Sequence, residues 1–296
     1  MAFSKNHPLA GIALMLISCL FMASLSVFVR ILGQEIHPFQ VVFLRNTCAL
    51  LLIIPFALRL PRKTLLQTPF KLHVLRAVVG ICAMTTNFYV IAHMLLAEST
   101  AISFTVPLFA TLGAMVFLKE KVHLRRWMGI VLGFIGVLII LRPTGETSVF
   151  LGLLGLLSAL LTSCSTLLIK SLSRTESALI ITLYMGLFMV PLSLPLAWAH
   201  WQPLTQHQLF LSLCMGAVAA LAHITLNKSF QCADVSALLP FDFIRLPIAT
   251  LFGYFLFAEL PTLHTLLGAL IIAGSGVYVA YREAKVRKKA AVAMLS

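Results

Sequence analysis

Charge is what this chain has least of. Its 296 residues include nine acidic side chains, and charged residues of both signs make up 10% of the total, where a soluble domain carries about 25%. The carboxylates are scattered, so no concentrated His/Asp/Glu set of the kind needed for acid–base or metal chemistry emerges. This argues against the alternative of a membrane-embedded enzyme, such as a lipid-modifying one, and no catalytic residue or metal ligand is assigned. There is no G-x-x-x-x-G-K-[ST] loop and no polar segment large enough for a nucleotide-hydrolysing domain. The six cysteines, Cys19, Cys48, Cys82, Cys164, Cys214 and Cys232, stand singly without CxxC spacing, and read as small apolar packing residues. The first apolar run is too long for a signal h-region and lacks an A-x-A exit, which predicts a retained helix.

What the chain has in abundance is long apolar runs. Hydrophobic residues make up 60% of it, and ten stretches cover 8–31, 39–58, 72–95, 99–118, 127–141, 150–169, 178–199, 208–226, 235–257 and 263–281. Most match the roughly 20 residues that a helix needs to cross the hydrocarbon of a bilayer. The net charge of +13 is dispersed over alternate connectors and one C-terminal run at 282–289, so it speaks for topology and anionic headgroups and not for nucleic acid. With a cytoplasmic N-terminus, seventeen of the 22 Lys and Arg residues fall on inside segments. The outside segments carry only Arg30 and Arg142, at helix ends where long stems reach the interface. Both termini are therefore expected in the cytoplasm.

The two halves also resemble each other. GIALMLISCLFMASLSVFVR from Gly11 pairs with GLLGLLSALLTSCSTLLIK from Gly152, and the segment from Pro107 to Arg142 pairs with that from Pro247 to Arg282, setting Glu120 opposite Glu259. Two halves of five helices each must insert upside down relative to one another, the architecture of carriers that open alternately to each side. The expected fold is an all-α integral membrane protein of ten transmembrane helices in two inverted repeats, 1–147 and 148–284, with a basic tail at 285–296.

FLRN at 43–46, LHVLRAVVGICAMTTNFYVIAHM from Leu72, the long segment AESTAISFTVPLFATLGAMVFLKEK from Ala97, SLSRTES from Ser171 and PFDFIRLPIATLFGYFLFAE from Pro240 resemble the drug/metabolite transporter superfamily, in its EamA branch of ten-helix bacterial carriers. Within that branch the chain resembles the subgroup that includes S-adenosylmethionine uptake carriers of intracellular bacteria. The resemblance implies a basket of helices around a central cavity, with the fifth and tenth helices outside, no cofactor, and transport driven by a gradient or by exchange. A Gly-Glu pair ending the fourth and ninth helices is a mark of the family. Here Lys119 and Ala258 replace the glycine, while Glu120 and Glu259 are read as structural caps for the following helix.

A charge at mid-membrane costs roughly 2.5–3.5 kcal/mol on the insertion scale, so its position carries information. Asp242 and Arg245, near the middle of the ninth stretch and bracketed by Pro240 and Pro247, either line the cavity, lock the bundle, or gate it. Arg45 is a substrate-binding candidate that can also snorkel outward, and Arg76 either snorkels to the cytoplasmic interface or closes the inner gate. On the third stretch, Met84, Asn87 and Ile91 share one face and Thr86, Tyr89 and His93 another; the second is favoured for substrate. Ser103 and Thr105 precede Pro107, a gating candidate, and His223 and Asn227 share a face of the eighth helix. If Asp242 approaches His223, the pair becomes a proton-coupling element. Gly129, Gly133, Gly136, Gly268, Gly274 and Gly276 make smooth faces on the fifth and tenth helices, for packing within one chain or for a homodimer. Trp198 and Trp201 belong to the interfacial belt.

The arginine excess suits a substrate with a carboxylate, an amino acid or an S-adenosylmethionine-like metabolite crossing a bacterial inner membrane. Direction is left open, with amino-acid or drug efflux as the alternative. Reporter fusions at both termini and in the connectors holding Arg62, Arg125 and Arg174 are expected to report cytoplasm. A periplasmic signal from any one of them overturns the ten-crossing reading.

Overall fold

A computed structural model describes residues 8–59, 68–106, 108–110, 113, 124–141, 149–172, 175–232, 238, 241–242 and 244–293. Their regular structure is entirely helical. Ten helices can be followed among these residues: α1 (Pro8–Glu35), α2 (Pro38–Ala57), α3 (Phe70–His93), α4 (Leu96–Ser103), α5 (Leu124–Leu141), α6 (Val149–Leu172), α7 (Ala178–Ala199), α8 (Gln206–Cys232), α9 (Arg245–Phe257) and α10 (Leu263–Ala293). Six of them, α1, α2, α3, α6, α7 and α8, are long and apolar enough to cross a membrane.

Local chemistry sets the helix ends. Thr205 and Gln208 form a reciprocal capping box, Thr205 N donating to Gln208 Oε1 (3.0 Å) and Gln208 N to Thr205 Oγ1 (3.2 Å). Ser177 Oγ accepts from Ile180 N at the start of α7. His37 Nδ1 accepts from Phe39 N at the start of α2, and burial, followed by the charges of His200 and His93, holds this imidazole below its ordinary range, which favours the neutral ring that such a cap requires. Within the helices, hydroxyls satisfy themselves on the preceding turn, as Thr85 does on Ile81 O (2.7 Å) and Thr182 on Ala178 O (2.7 Å), so they need no water.

The observed helices differ from the apolar stretches at three places. α4 stops at Ser103, with Phe104 and Thr105 in a turn before helix resumes. Before α9, which is continuous from Arg245, Leu238, Phe241 and Asp242 are helical and Ile244 is a turn, while 233–237, 239–240 and 243 lie outside the described residues. α10 continues to Ala293, so the basic run 282–289 extends the helix and does not begin a separate tail.

α1 packs on α8, α3 on α6, α2 on α7 and α5 on α10, while α9 lies between α1 and α4. Side-chain contacts give the directions. At one end of the bundle, the end of α1 (Arg30) meets the end of α3 (Met94) and Glu259 just after α9. At the same end, the start of α2 (Gln40) meets Gln202 after α7, and the start of α4 (Glu98) meets the start of α10 (Thr265). At the other end, α3 begins beside α7 (Arg76 to Ile181 O), and Met15 of α1 meets Ser229 of α8. A core of Leu32, Val41, Ala77, Ile81, Met189 and Met215 fills the junction of α1, α2, α3, α7 and α8.

The glycine faces of α5 and α10 are used against each other. A Cβ on Gly136 would stand 2.8 Å from Gly268 O, whereas one on Gly274 would meet nothing within 4 Å. Gly136→Ala is therefore expected to push two backbones apart and cost about 1–3 kcal/mol, read as a lower unfolding temperature in detergent with a thiol-reactive dye. Gly274→Ala should leave that temperature unchanged.

Candidate functional site

Three polar centres are embedded in the apolar bundle. The first closes the end that holds Glu259. Arg30 donates to Ile91 O (3.0 Å), Met94 O (2.8 Å) and Glu259 Oε1 (2.9 Å), and the second Glu259 oxygen accepts from Leu96 N (2.9 Å). Arg30 therefore does not snorkel to the interface; the ion pair is 12% and 10% exposed on its two sides. Glu259 caps a helix, but that helix is α4 and not the following α10. Its placement depends on Ala258, which adopts the left-handed conformation (φ 52°) that the family's glycine would suit, with Glu259 N closing the turn on Gly253 O. The turn is as tight with alanine as the motif requires. Alongside, Gln40 and Gln202 exchange two hydrogen bonds (2.8 and 3.1 Å), and the rings of His37 and His200 stack 4.1 Å apart.

The second centre lies where α4 and α9 are interrupted. Arg245 donates to Ser103 Oγ (3.1 Å), sits over the Phe104 ring (5.1 Å), and is 3.9 Å from Asp242. The pair thus flanks the turn at Ile244, and Pro247 falls in the first turn of α9, where a missing N–H costs little. Both side chains keep some exposure, 23% for Arg245 and 32% for Asp242. Cys19 Sγ approaches Asp242 Oδ1 (3.7 Å) and Phe241 O (3.6 Å). Ser103 and Thr105 each bond a carbonyl three residues back, Thr100 O and Ile102 O (both 2.7 Å), covering backbone acceptors at the interruption.

The third centre brings α2, α3, α7 and α8 together. Arg45, Asn46, Thr182, Met185 and His223 line a cavity of about 10 Å³, room for about one water. Arg45 donates to Asn46 Oδ1 (2.7 Å), Asn46 reaches Met84 Sδ (3.6 Å), and Asn227 donates to Thr182 Oγ1 (3.4 Å). Arg76 donates to Ile181 O and to Met185 Sδ, both at 3.4 Å. Neither arginine snorkels: Arg45 is 2% exposed and Arg76 4%. His73, one turn before Arg76, is buried against Tyr184 with neither ring nitrogen hydrogen-bonded.

Several expected site residues fall elsewhere. Thr86, Tyr89 and His93 continue the stripe of Leu75, Val78 and Cys82, which is the exposed side of α3. Tyr89 and His93 stack on each other at 4.4 Å, and Thr86 bonds Cys82 O. The opposite face, with Arg76, Met84 and Ile91, turns to the core, where the Arg76 charge is kept from lipid. His223 shares its cavity with Arg45, whereas Asp242 is held beside Cys19 and Arg245, so the expected His223–Asp242 pair is not assembled. Glu120, Pro107 and Pro240 lie outside the described residues.

The Arg30 hub, Glu98, His73 and Thr182 escaped sequence reasoning. Arg30 and Glu98 sit at the ends of apolar runs, where a charge ordinarily belongs to the interface. Glu98 is instead 5% exposed and accepts from Thr265 Oγ1 (3.2 Å). An acidic residue immediately before an apolar stretch, matched to a basic one ending another, is the signal that would have found the first pair.

The whole chain resembles proteins that carry solutes. It is 29% identical to the S-adenosylmethionine uptake transporter of Rickettsia bellii, over 94% of this chain and 96% of that protein. It is 30% identical to the riboflavin transporter of Vibrio cholerae serotype O1, over 95% and 96%, and 31% identical to that of Brucella anthropi, over 81% and 86%. A crystal structure 18% identical, with a TM-score of 0.65, covers 95% of this chain and all of its own and shares the fold. Residues 9–142 match the EamA-like transporter family, and with relatives at 30% identity matched over nearly their full length, this chain belongs to that family of membrane transporters and is not an enzyme.

Proposed function

We propose that the chain is a secondary carrier that moves a small polar, charged or zwitterionic metabolite across a bacterial inner membrane by alternating access, with ten crossings arranged as two inverted five-helix repeats and both termini in the cytoplasm. Three features support this architecture. α1 and α3 end together, α3 and α7 begin together and α4 and α10 begin together, as alternating helices would. Exchanging the halves, α1 for α6 and so on, maps the α1·α8 packing onto α6·α3 and returns α2·α7, α4·α9 and α5·α10 to themselves. The interruptions of α4 and α9 fall at equivalent positions and touch, Arg245 against Ser103 and Phe104. Broken helices meeting at a repeat interface are where carriers place their substrates.

The observation that carries the functional reading is the third centre. Its lining comes from both halves, Arg45 and Asn46 from one and Thr182 and His223 from the other, and it is shut to all but water. Rocking one half against the other would open this space towards one side of the membrane at a time. The closure at the Glu259 end supports a state with that side sealed, and the distribution of Lys and Arg favours the outside for it. If the carrier pairs, the surface is the outward face of α5 and α10, where Leu138 and Leu270 are 62% and 68% exposed, since Gly136 and Gly268 are spent between those helices.

Among the relatives' substrates, S-adenosylmethionine brings a carboxylate, an amine and a sulfonium, which match an interior holding Arg45, Arg76 and Arg245 together with Asp242. Purified protein in liposomes is expected to take up labelled S-adenosylmethionine saturably, with riboflavin and amino acids as the comparison. Absence of saturable flux for all three classes, with and without a pH gradient, overturns the reading. In the same assay Arg245→Ala should lower uptake at least tenfold with the protein still monodisperse, and Arg245→Lys should restore part of it, because an ammonium reproduces the charge but not the guanidinium's planar contacts. Full activity of the alanine variant removes Arg245 from the transport path.

A further inference from the structure

Two of the three centres are electrically balanced by the protein and one is not. Arg30 has Glu259 at 2.9 Å, and Arg245 has Asp242 at 3.9 Å together with Ser103. Arg45 and Arg76 have no carboxylate within reach among the described residues. Their contacts are a neutral amide, a backbone carbonyl and a thioether, and the Nε–H of each is buried without an acceptor. Guanidinium groups do not shed their proton in proteins. The two therefore place uncompensated positive charge inside an apolar bundle, Arg45 and His223 lining one cavity whose wall includes Met185, the residue Arg76 contacts, an arrangement that persists only where a counter-charge is supplied.

We infer that Arg45 and Arg76 form the binding site for a small anionic group, either the carboxylate of the transported metabolite or a free inorganic anion such as chloride. The surrounding donors fit this chemistry. Asn46 lies beside Arg45, and Thr182, Asn227 and His223 add neutral polar groups on the opposite half. A planar carboxylate matches the fork of a guanidinium. Because the arginines come from α2 and α3 while the other donors come from α7 and α8, an anion entering between them draws the two halves together. The inference rests on the carrier reading for its meaning in transport, but the binding itself is measurable without transport. If the anion is part of the substrate, the site selects S-adenosylmethionine-like molecules over riboflavin, which has no carboxylate. If it is free, a neutral substrate would move only with that anion present.

Full-length protein in detergent is titrated with sodium chloride or sodium acetate against sodium HEPES at constant ionic strength, and unfolding temperature is recorded. A saturable rise is expected for wild type, with the midpoint shifted at least tenfold higher in Arg45→Gln and in Arg76→Gln, and unshifted in the exposed control Arg59→Gln. Should the glutamine variants fail to fold, Arg45→Lys and Arg76→Lys are read in their place and should show an intermediate shift. Competition of chloride by S-adenosylmethionine but not by its decarboxylated analogue assigns the anion to the substrate, and chloride-dependent uptake with no such competition assigns it to a free ion; either outcome supports the site. No anion-dependent rise in wild type, or the same midpoint in all variants, overturns it. Saturable uptake together with that negative result removes the anion site and leaves the carrier; anion binding without any uptake does the reverse.

Discussion

The closure of the bundle depends on one ion pair. Arg30 spends its two terminal nitrogens on Ile91 O, Met94 O and Glu259, and Glu259 spends its second oxygen on Leu96 N. Four chain segments, the ends of α1, α3 and α9 and the start of α4, converge on two side chains. Each partner offers what the others lack: carbonyls left over where α3 ends, an orphan N–H where α4 begins, and a cation and an anion that would each be costly alone in a place this dry. Removing Arg30 strands two carbonyls and leaves the Glu259 charge unpaired, and removing Glu259 strands the Leu96 N–H and leaves the Arg30 charge unpaired, so the left-handed Ala258 that positions Glu259 matters to all four segments.

That satisfied centre gives the others their significance. The same apolar bundle that supplies Arg30 with a carboxylate and two carbonyls leaves Arg45 and Arg76 leaning on an amide, a carbonyl and a sulfur. A carrier must release what it binds, so its site cannot be complete without ligand. The contrast between a finished ion pair at one end of the bundle and an unfinished one in its interior separates closure from binding. At the interruptions in α4 and α9, Arg245 and Asp242 are partly paired and partly exposed, an arrangement that a substrate could enter into.

The helical, apolar character of the chain was legible because hydrocarbon is a demanding solvent. Six of the apolar stretches are helices long and apolar enough to cross a membrane, and the pairing of Asp242 with Arg245 followed from i, i+3 spacing. Which face of α3 turns inward was not legible: Thr86, Tyr89 and His93 look more like a binding surface than Met84 and Ile91, and a helix amphipathic on neither side offers little to choose between them. The places where helices break were equally hidden, since Pro107 and Pro247 are compatible with a continuous helix as well as with an interrupted one.

By itself the sequence determined a helical membrane protein, because apolar length and charge alternation are local properties that water and lipid sort without reference to any particular neighbour, and its resemblance to known carriers supplied transport. Tertiary structure alone decided which charges cancel. Arg30 and Glu259 are 229 residues apart, and Arg45 and Arg76 come from different helices, so whether a buried charge finds a counter-charge depends on which helix ends meet and which faces turn inward. That is settled by packing over the whole bundle, and no window of sequence contains it.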